Sequence, residues 1–99
     1  MSLRGLQSRL KSATGASDDL DKLIAKALNV GERHYSSSVD DCIELIHELF
    51  PNAHWHLGRA ADGVSMYATI EGNGHREESS GVTIPLVLLS VIVAHLEKH

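Results

Sequence analysis

Apolar residues recur every three or four positions in three stretches of the first half of the chain, which is typical of amphipathic helices. The first stretch ends at Thr14 and Gly15, where glycine can adopt the left-handed conformation that closes a helix. The second begins after Ser17, a favoured N-cap residue, and ends near residues 29–31. One helix broken at Gly15 is an alternative for these two. Their apolar positions are Leu3, Leu6, Leu10 and Ala13, then Leu20, Leu23, Ile24, Ala27 and Leu28.

The third stretch has the clearest helix boundaries. Residues 30–37 before it form a predicted loop. Ser38 and Asp41 have the spacing of a capping box, with Asp in place of the usual Glu. Pro51 ends the helix because proline cannot continue one. Its predicted buried face consists of Val39, Cys42, Ile43, Ile46, Leu49 and Phe50.

Residues 54–71 alternate between apolar and polar around a turn signal. Asp62-Gly63 is typical of a two-residue type I′ turn in a β-hairpin. That turn pairs Trp55 with Ile70 and Leu57 with Ala68, so the turn and the alternation agree on one register. One face then carries Trp55, Leu57, Val64, Met66, Ala68 and Ile70, and the other carries His54, His56, Gly58, Ser65, Tyr67, Thr69 and Glu71.

The segment after the hairpin, residues 72–81, is polar and rich in glycine, and we expect a loop there. Asn73-Gly74 allows a turn into a third strand as the alternative, although the residues that follow are poor strand formers.

Residues 84–97 are apolar on nearly every side. Thr83 can cap a helix, and Pro85 is tolerated in a first helical turn. The content of β-branched residues makes a buried strand the alternative. A long helix that is apolar all round is either fully buried or forms a subunit interface, so homo-oligomerisation through this helix is one prediction.

Charge and cysteine content exclude several classes of protein. The net charge is −4, and residues 1–16 hold three basic and no acidic residues, whereas the remainder holds six basic and thirteen acidic. An acidic body argues against nucleic-acid binding. Cys42, the single cysteine, excludes an intrachain disulfide. The 13-residue apolar run 82–94 is shorter than a membrane span. We therefore expect a cytoplasmic protein that binds neither membrane nor nucleic acid.

Three segments together resemble a family of small phage and prophage proteins of unknown function, the phage ABA (alpha-beta-alpha) sandwich domain. They are residues 6–15 with 20–24, the Tyr-Ser-Ser-Ser-Val-Asp segment 35–40 followed by a helix and Trp55, and the Thr-Ile-Pro-Leu-Val-Leu-Leu segment 83–89. The last helix here is richer in valine and isoleucine than is usual in the family. The resemblance implies a helix–hairpin–helix arrangement and a phage-related origin, and it implies no catalytic residues.

The predicted fold is accordingly one α+β domain over residues 1–99. It has two or three short helices, an antiparallel sheet of two strands with three as the alternative, and a long apolar C-terminal helix. We expect these elements to form a helix/sheet/helix sandwich.

The candidate chemistry lies on the polar face of the hairpin. His54 and His56 project from one face, opposite Glu71 and near Tyr67, and two imidazoles with a carboxylate can bind zinc. An ordinary solvated sheet face is the competing interpretation and the one we favour, so we assign no catalytic residue, metal or cofactor.

Two other groups of side chains have structural interpretations. Cys42 lies on a buried helix face and is interpreted as a core residue. The pair Glu44 and His47 lies on an exposed helix face. Glycine-rich phosphate motifs and nucleophile elbows are missing from the sequence.

The functional hypothesis is therefore a non-enzymatic accessory protein of phage or prophage origin that acts by contacting a protein partner. The alternative is a small-molecule or metal-binding module that uses His54, His56, Tyr67 and Glu71.

Overall fold

The computed structural model describes residues 3–72 and 74–98, which form four helices and one three-stranded antiparallel sheet. The α+β class is confirmed. The sheet has the order β1-β2-β3. The elements are α1 (Leu3–Ser12), α2 (Asp18–Leu28), α3 (Val39–Leu49), β1 (His54–Arg59), β2 (Met66–Gly72), β3 (His75–Gly81) and α4 (Ile84–Glu97).

Local capping determines where α2 begins and ends. The Ser17 hydroxyl accepts the Leu20 N–H, and Asn29 closes the helix in the left-handed conformation with φ 56°. The prediction that Gly15 closes α1 in this conformation is wrong, because among the described glycines only Gly63 and Gly74 have positive φ. Instead, the Ala13 N–H donates to the Leu10 carbonyl, three residues earlier, so α1 ends in a tightened last turn.

The predicted ends of α3 are confirmed. The Ser38 hydroxyl accepts the Asp41 N–H at 3.2 Å. The capping box is not reciprocal, since the Asp41 carboxylate accepts the His34 N–H, 3.1 Å away, in the preceding loop. The helix ends at Leu49, two residues before Pro51.

The hairpin has the predicted register, with Trp55 opposite Ile70 and Leu57 opposite Ala68. The type I′ turn is wrong. The Ala60 carbonyl accepts the Gly63 N–H, and of the central residues only Gly63 has positive φ. The loop is wider because the Asp62 carboxylate accepts the N–H groups of residues 64 and 65, which also lowers the pKa of Asp62.

The segment predicted as a loop contains β3, so the third strand given as the alternative is present; Asn73 of the proposed turn lies outside the described residues. β3 pairs with β2 along its whole length. Tertiary contacts override its low strand propensity: the Glu77 carboxylate is hydrogen-bonded to the His95 ring of α4, and Gly81 lies against Val87.

The last helix forms as favoured, although the Thr83 hydroxyl makes no capping hydrogen bond. α4 contacts β2 and β3 as well as α1 and α3. The layer order is therefore sheet, α4 and then the other helices, not the predicted helix/sheet/helix. The physical reason is that an all-round apolar helix needs cover on more than one side. Its eight buried residues are Leu86, Val87, Leu88, Leu89, Val91, Ile92, Val93 and His95.

This burial accounts for the apolar character of α4 within one copy of the chain. Homo-oligomerisation through α4 stays a prediction. Over residues 3–72 and 74–98, no helix combines the length and the apolar character that crossing a membrane requires.

Candidate functional site

The sheet leaves one of its two faces without a helix. On β2, Ala68 and Ile70 are fully buried towards α4, and the alternate residues point the other way. We call that second side the outer face. None of the described helices packs on it, because the only helix that contacts the sheet is α4. The outer face consists of His54, His56, Gly58, Tyr67, Thr69, Glu71, Arg76, Glu78 and Ser80.

The four candidate residues from the sequence all lie on the outer face. His54 is opposite Glu71, and His56 is opposite Thr69, as the register predicts. Both histidines and Glu71 are exposed, and Tyr67 is half-buried. The structure thus groups these side chains on one surface but encloses none of them.

Tyr67 crosses from β2 over the neighbouring strand. A Cβ atom built on Gly58 would lie 2.7 Å from Cε1, Cζ and the hydroxyl oxygen of the Tyr67 ring. Any side chain at position 58 would therefore displace this ring. Glycine at 58 lets the aromatic ring lie over β1 on the outer face.

A cavity of about 350 Å³ lies where the outer face meets the turn between β2 and β3. Of the four candidate residues, His54 and Glu71 line this cavity, and His56 and Tyr67 do not. Arg76, which also lines it, is 3.9 Å from the exposed Glu78 carboxylate. The lining residues are Asn52, His54, Glu71, Gly72, Gly74, His75 and Arg76.

The predicted zinc ligands do not form a set of three within ligand distance of one another. Along a strand, positions 54 and 56 are about 7 Å apart. Among the described residues, a set with ligand atoms all within 4.8 Å occurs elsewhere, at Asp18, Asp21 and His34.

That second set is part of the junction between α2 and the following loop. Asp21 is 5% exposed, and its carboxylate accepts the Ser36 N–H at 2.7 Å. The Ser36 hydroxyl accepts the Ser17 N–H at 2.9 Å and donates to the Ser17 carbonyl at 3.1 Å. Asp21 thus holds the loop against the start of α2, a structural role that accounts for its burial.

Sequence reasoning missed a buried polar pair on the other side of the sheet. His95 of α4 is 1% exposed and pairs through Nδ1 with the carboxylate of Glu77 on β3. The Phe50 ring meets the His95 ring edge-on, with centroids 4.7 Å apart. A cavity of about 360 Å³ lies beside them. The signal available in the sequence was a lone histidine near the end of an apolar helix.

Cys42 has the environment of a core residue. It is fully buried, and its thiol donates to the Tyr35 carbonyl at 3.0 Å. Burial, with smaller contributions from the Asp41 and Asp21 carboxylates, raises the pKa of the Cys42 thiol to about 12. A thiol held neutral in this way is a poor nucleophile. Glu44, the other candidate considered on α3, pairs with Arg33 on the surface.

These features define a small α+β domain in which a three-stranded antiparallel sheet is covered by a helix on one face and open on the other. Comparison with protein-family models, with curated proteins and with solved structures finds no match to this chain. The resemblance to the phage ABA sandwich family therefore stays a prediction.

Proposed function

We propose that this chain is a non-enzymatic accessory protein of phage or prophage origin that binds a protein partner in the cytoplasm through the outer face. The observation that supports the proposal is that the outer face is an uncovered sheet surface. Antiparallel sheets commonly bury one face against the core and leave the other to solvent, where it is accessible to a partner. Here the open face also carries Tyr67 and Arg76, residue types enriched at protein interfaces.

The charges of the outer face indicate the kind of partner. Glu71 and Glu78 lie beside Arg76 and the polar imidazoles of His54 and His56 on neighbouring strands, so the outer face carries both signs of charge. Such a surface suits a protein with both charges interspersed, and it suits the uniform charge of a nucleic-acid backbone poorly. The phage-related part of the proposal is supported by the resemblance of residues 35–40 and 83–89.

The test is affinity co-purification of the tagged chain from its native host during phage induction, with mass spectrometry of the bound proteins. The double variant His56→Glu, Arg76→Glu makes the outer face acidic without touching the buried side of the sheet. Lys26→Glu, on an exposed position of α2, is the control for a charge reversal away from the outer face.

We expect a stoichiometric partner with the wild-type chain and with Lys26→Glu, and its loss with the double variant. Equal circular dichroism spectra and melting temperatures show that all three are folded. A partner that stays bound to the double variant would exclude the outer face as its binding site. Recovery of the chain without any stoichiometric partner would contradict the proposed function.

The cavity at His54 and Glu71 supports a second candidate function, a small-molecule or metal-binding module. Zinc is the probe, since imidazole and carboxylate are both zinc ligands. Calorimetric titration with zinc would give stoichiometric binding that His54→Ala abolishes. His47→Ala, at an exposed histidine of α3, would leave it unchanged. Binding that neither variant affects would contradict this candidate.

A further inference from the structure

The two edges of the sheet differ in how well they are protected against pairing with another strand. β3 presents Arg76, Glu77 and Glu78 in sequence, and charged residues are a common protection of sheet edges. β1 has the sequence His-Trp-His-Leu-Gly-Arg, without proline or an acidic residue. Among the described elements, β1 contacts β2 alone. The edge of β1 that points away from β2 is therefore unpaired and weakly protected.

The hydrogen bonds of the hairpin determine which residues face this open edge. The Ala60 N–H donates to the Ser65 carbonyl at 2.8 Å, so the main-chain groups of Ala60 point towards β2. Because the direction alternates along a strand, positions 54, 56 and 58 also point towards β2. The N–H and carbonyl groups of Trp55 and Leu57 consequently point outward from the sheet.

The same two residues carry the apolar side chains of β1. Trp55 and Leu57 lie on the side of the sheet that faces α4, but α4 contacts only β2 and β3. Both side chains are half-buried and pack against the core. The apolar surface of the sheet thus extends past α4 up to the open edge.

We propose that β1 pairs antiparallel with β1 of a second copy of this chain, with His56 on the two-fold axis, to form a six-stranded sheet. In an antiparallel pair, opposite residues share a face. Residues whose N–H and carbonyl groups point outward must lie opposite residues of the other strand whose groups also point outward. Odd-numbered positions must therefore oppose odd-numbered positions. In the proposed register Trp55 opposes Leu57 of the second copy, which adds two apolar cross-strand pairs.

Neighbouring registers are less favourable. A register centred on Leu57 places Arg59 of one copy opposite Trp55 of the other, on the apolar side. A register centred on Trp55 leaves Leu57, Gly58 and Arg59 without opposing residues of β1. The proposed register instead places His54 of the second copy opposite Gly58, on the outer face beside the Tyr67 ring that lies over position 58. A symmetric contact of this kind closes after two copies.

This dimer goes beyond the proposed function and does not depend on it. The two outer faces become one continuous surface, so a partner would meet twice the area. Failure of the dimer leaves partner capture by one copy intact, and failure of partner capture leaves the dimer intact.

Disulfide trapping tests the register directly. Position 56 meets its own copy in a non-hydrogen-bonded pair, in which Cα atoms are about 4.5 Å apart, and disulfides span about 4.4–6.8 Å. His56→Cys should therefore give a cross-linked dimer under mild oxidation. His54→Cys is the matched control, because the two copies of position 54 are about four residues, or ~13 Å, apart. Cys42 is buried and common to both variants.

We expect a covalent dimer on a non-reducing gel for His56→Cys and at most a trace for His54→Cys. Equal cross-linking of the two variants, or none of either, would overturn the proposal.

Sedimentation equilibrium gives an independent measurement on the unoxidised protein. Leu57→Pro removes an N–H group that points away from β2, so it breaks no hydrogen bond to β2. Edge strands tolerate proline at such positions. Leu57→Ala loses similar packing but keeps that N–H. We expect the wild type to sediment as a dimer, and the dissociation constant of Leu57→Pro to exceed that of Leu57→Ala by about tenfold or more, since two symmetric hydrogen bonds are lost. Equal constants, or a wild type that stays monomeric at millimolar concentration, would overturn the proposal.

Discussion

The ring of Tyr67 lies across Gly58 of the neighbouring strand, so closely that a Cβ atom at position 58 would be 2.7 Å from two ring carbons and the hydroxyl oxygen. Only the far end of the Tyr67 side chain is involved, and the outer face leaves that end free to move. The contact therefore controls the shape of the outer face more than the stability of the fold.

We predict that Gly58→Ala moves the Tyr67 ring at little cost in stability. Alanine favours a strand over glycine by about 0.5–1 kcal/mol, which offsets the lost ring contact. The free energy of unfolding should change by less than about 1 kcal/mol, while the ring proton shifts of Tyr67 change strongly. In a Tyr67→Ala background the same substitution should be stabilising. A large loss of stability there would show that the backbone, not the ring, rejects the side chain.

The buried carboxylate of Asp21 is expected to be important for stability. Asp21→Ala leaves the buried Ser36 N–H without its acceptor, which should lower the free energy of unfolding by about 1–3 kcal/mol. Asp21→Asn keeps an acceptor oxygen and should lose less. Asp19→Ala, in the same helical turn but exposed, should lose at most about 1 kcal/mol. Urea unfolding of the three variants measures these differences, and equal losses at positions 19 and 21 would contradict the role of the hydrogen bond.

The features that the sequence predicts well depend on neighbouring residues. Ser17 and Ser38 cap helices because their hydroxyls reach N–H groups three residues ahead. The hairpin register follows from alternation with period two, and it holds even though the turn is wider than the type I′ turn predicted from Asp62-Gly63. The four outer-face candidates were grouped correctly for the same reason.

The features that the sequence does not predict depend on residues far apart in the chain. β3 has poor strand formers and is held by contacts such as that of Gly81 with Val87 of α4. The Asp21–Ser36 bond joins residues 15 positions apart, and Glu77 pairs with His95 across 18. No periodicity relates such positions. The layer order was missed because an apolar pattern shows that a helix is buried but not between which elements.

Alkaline pH should destabilise the fold through Cys42. Burial raises the pKa of the thiol from 9.0 to about 12, so between these values only the unfolded chain releases the proton. The stabilising contribution is complete below pH 9 and is lost as the pH rises towards 12. Tyr35, whose pKa burial also raises, acts in the same direction at higher pH.

Cys42→Ala isolates this effect. Between pH 8 and 10.5 the free energy of unfolding of the wild type should fall by about 2 kcal/mol more than that of the variant, because one fewer proton is released on unfolding in the variant. Urea unfolding at the two pH values measures both differences, and the variant retains Tyr35 and all lysines. Parallel pH profiles for the two proteins would show that the thiol does not titrate differently on folding.

The pair of Glu77 and His95 should behave as one unit in stability measurements. Both side chains are buried, at 9% and 1% exposure, so removing one partner takes a hydrogen bond from a buried polar group. Glu77→Leu and His95→Leu should each lower the free energy of unfolding by about 1–3 kcal/mol. The double variant removes both polar groups together and should lose far less than the sum of the two. Additive losses would mean that the two side chains stabilise the fold independently. The exposed pair of Arg76 and Glu78 provides the control, with a coupling below about 1 kcal/mol in the matching double-mutant cycle with alanine.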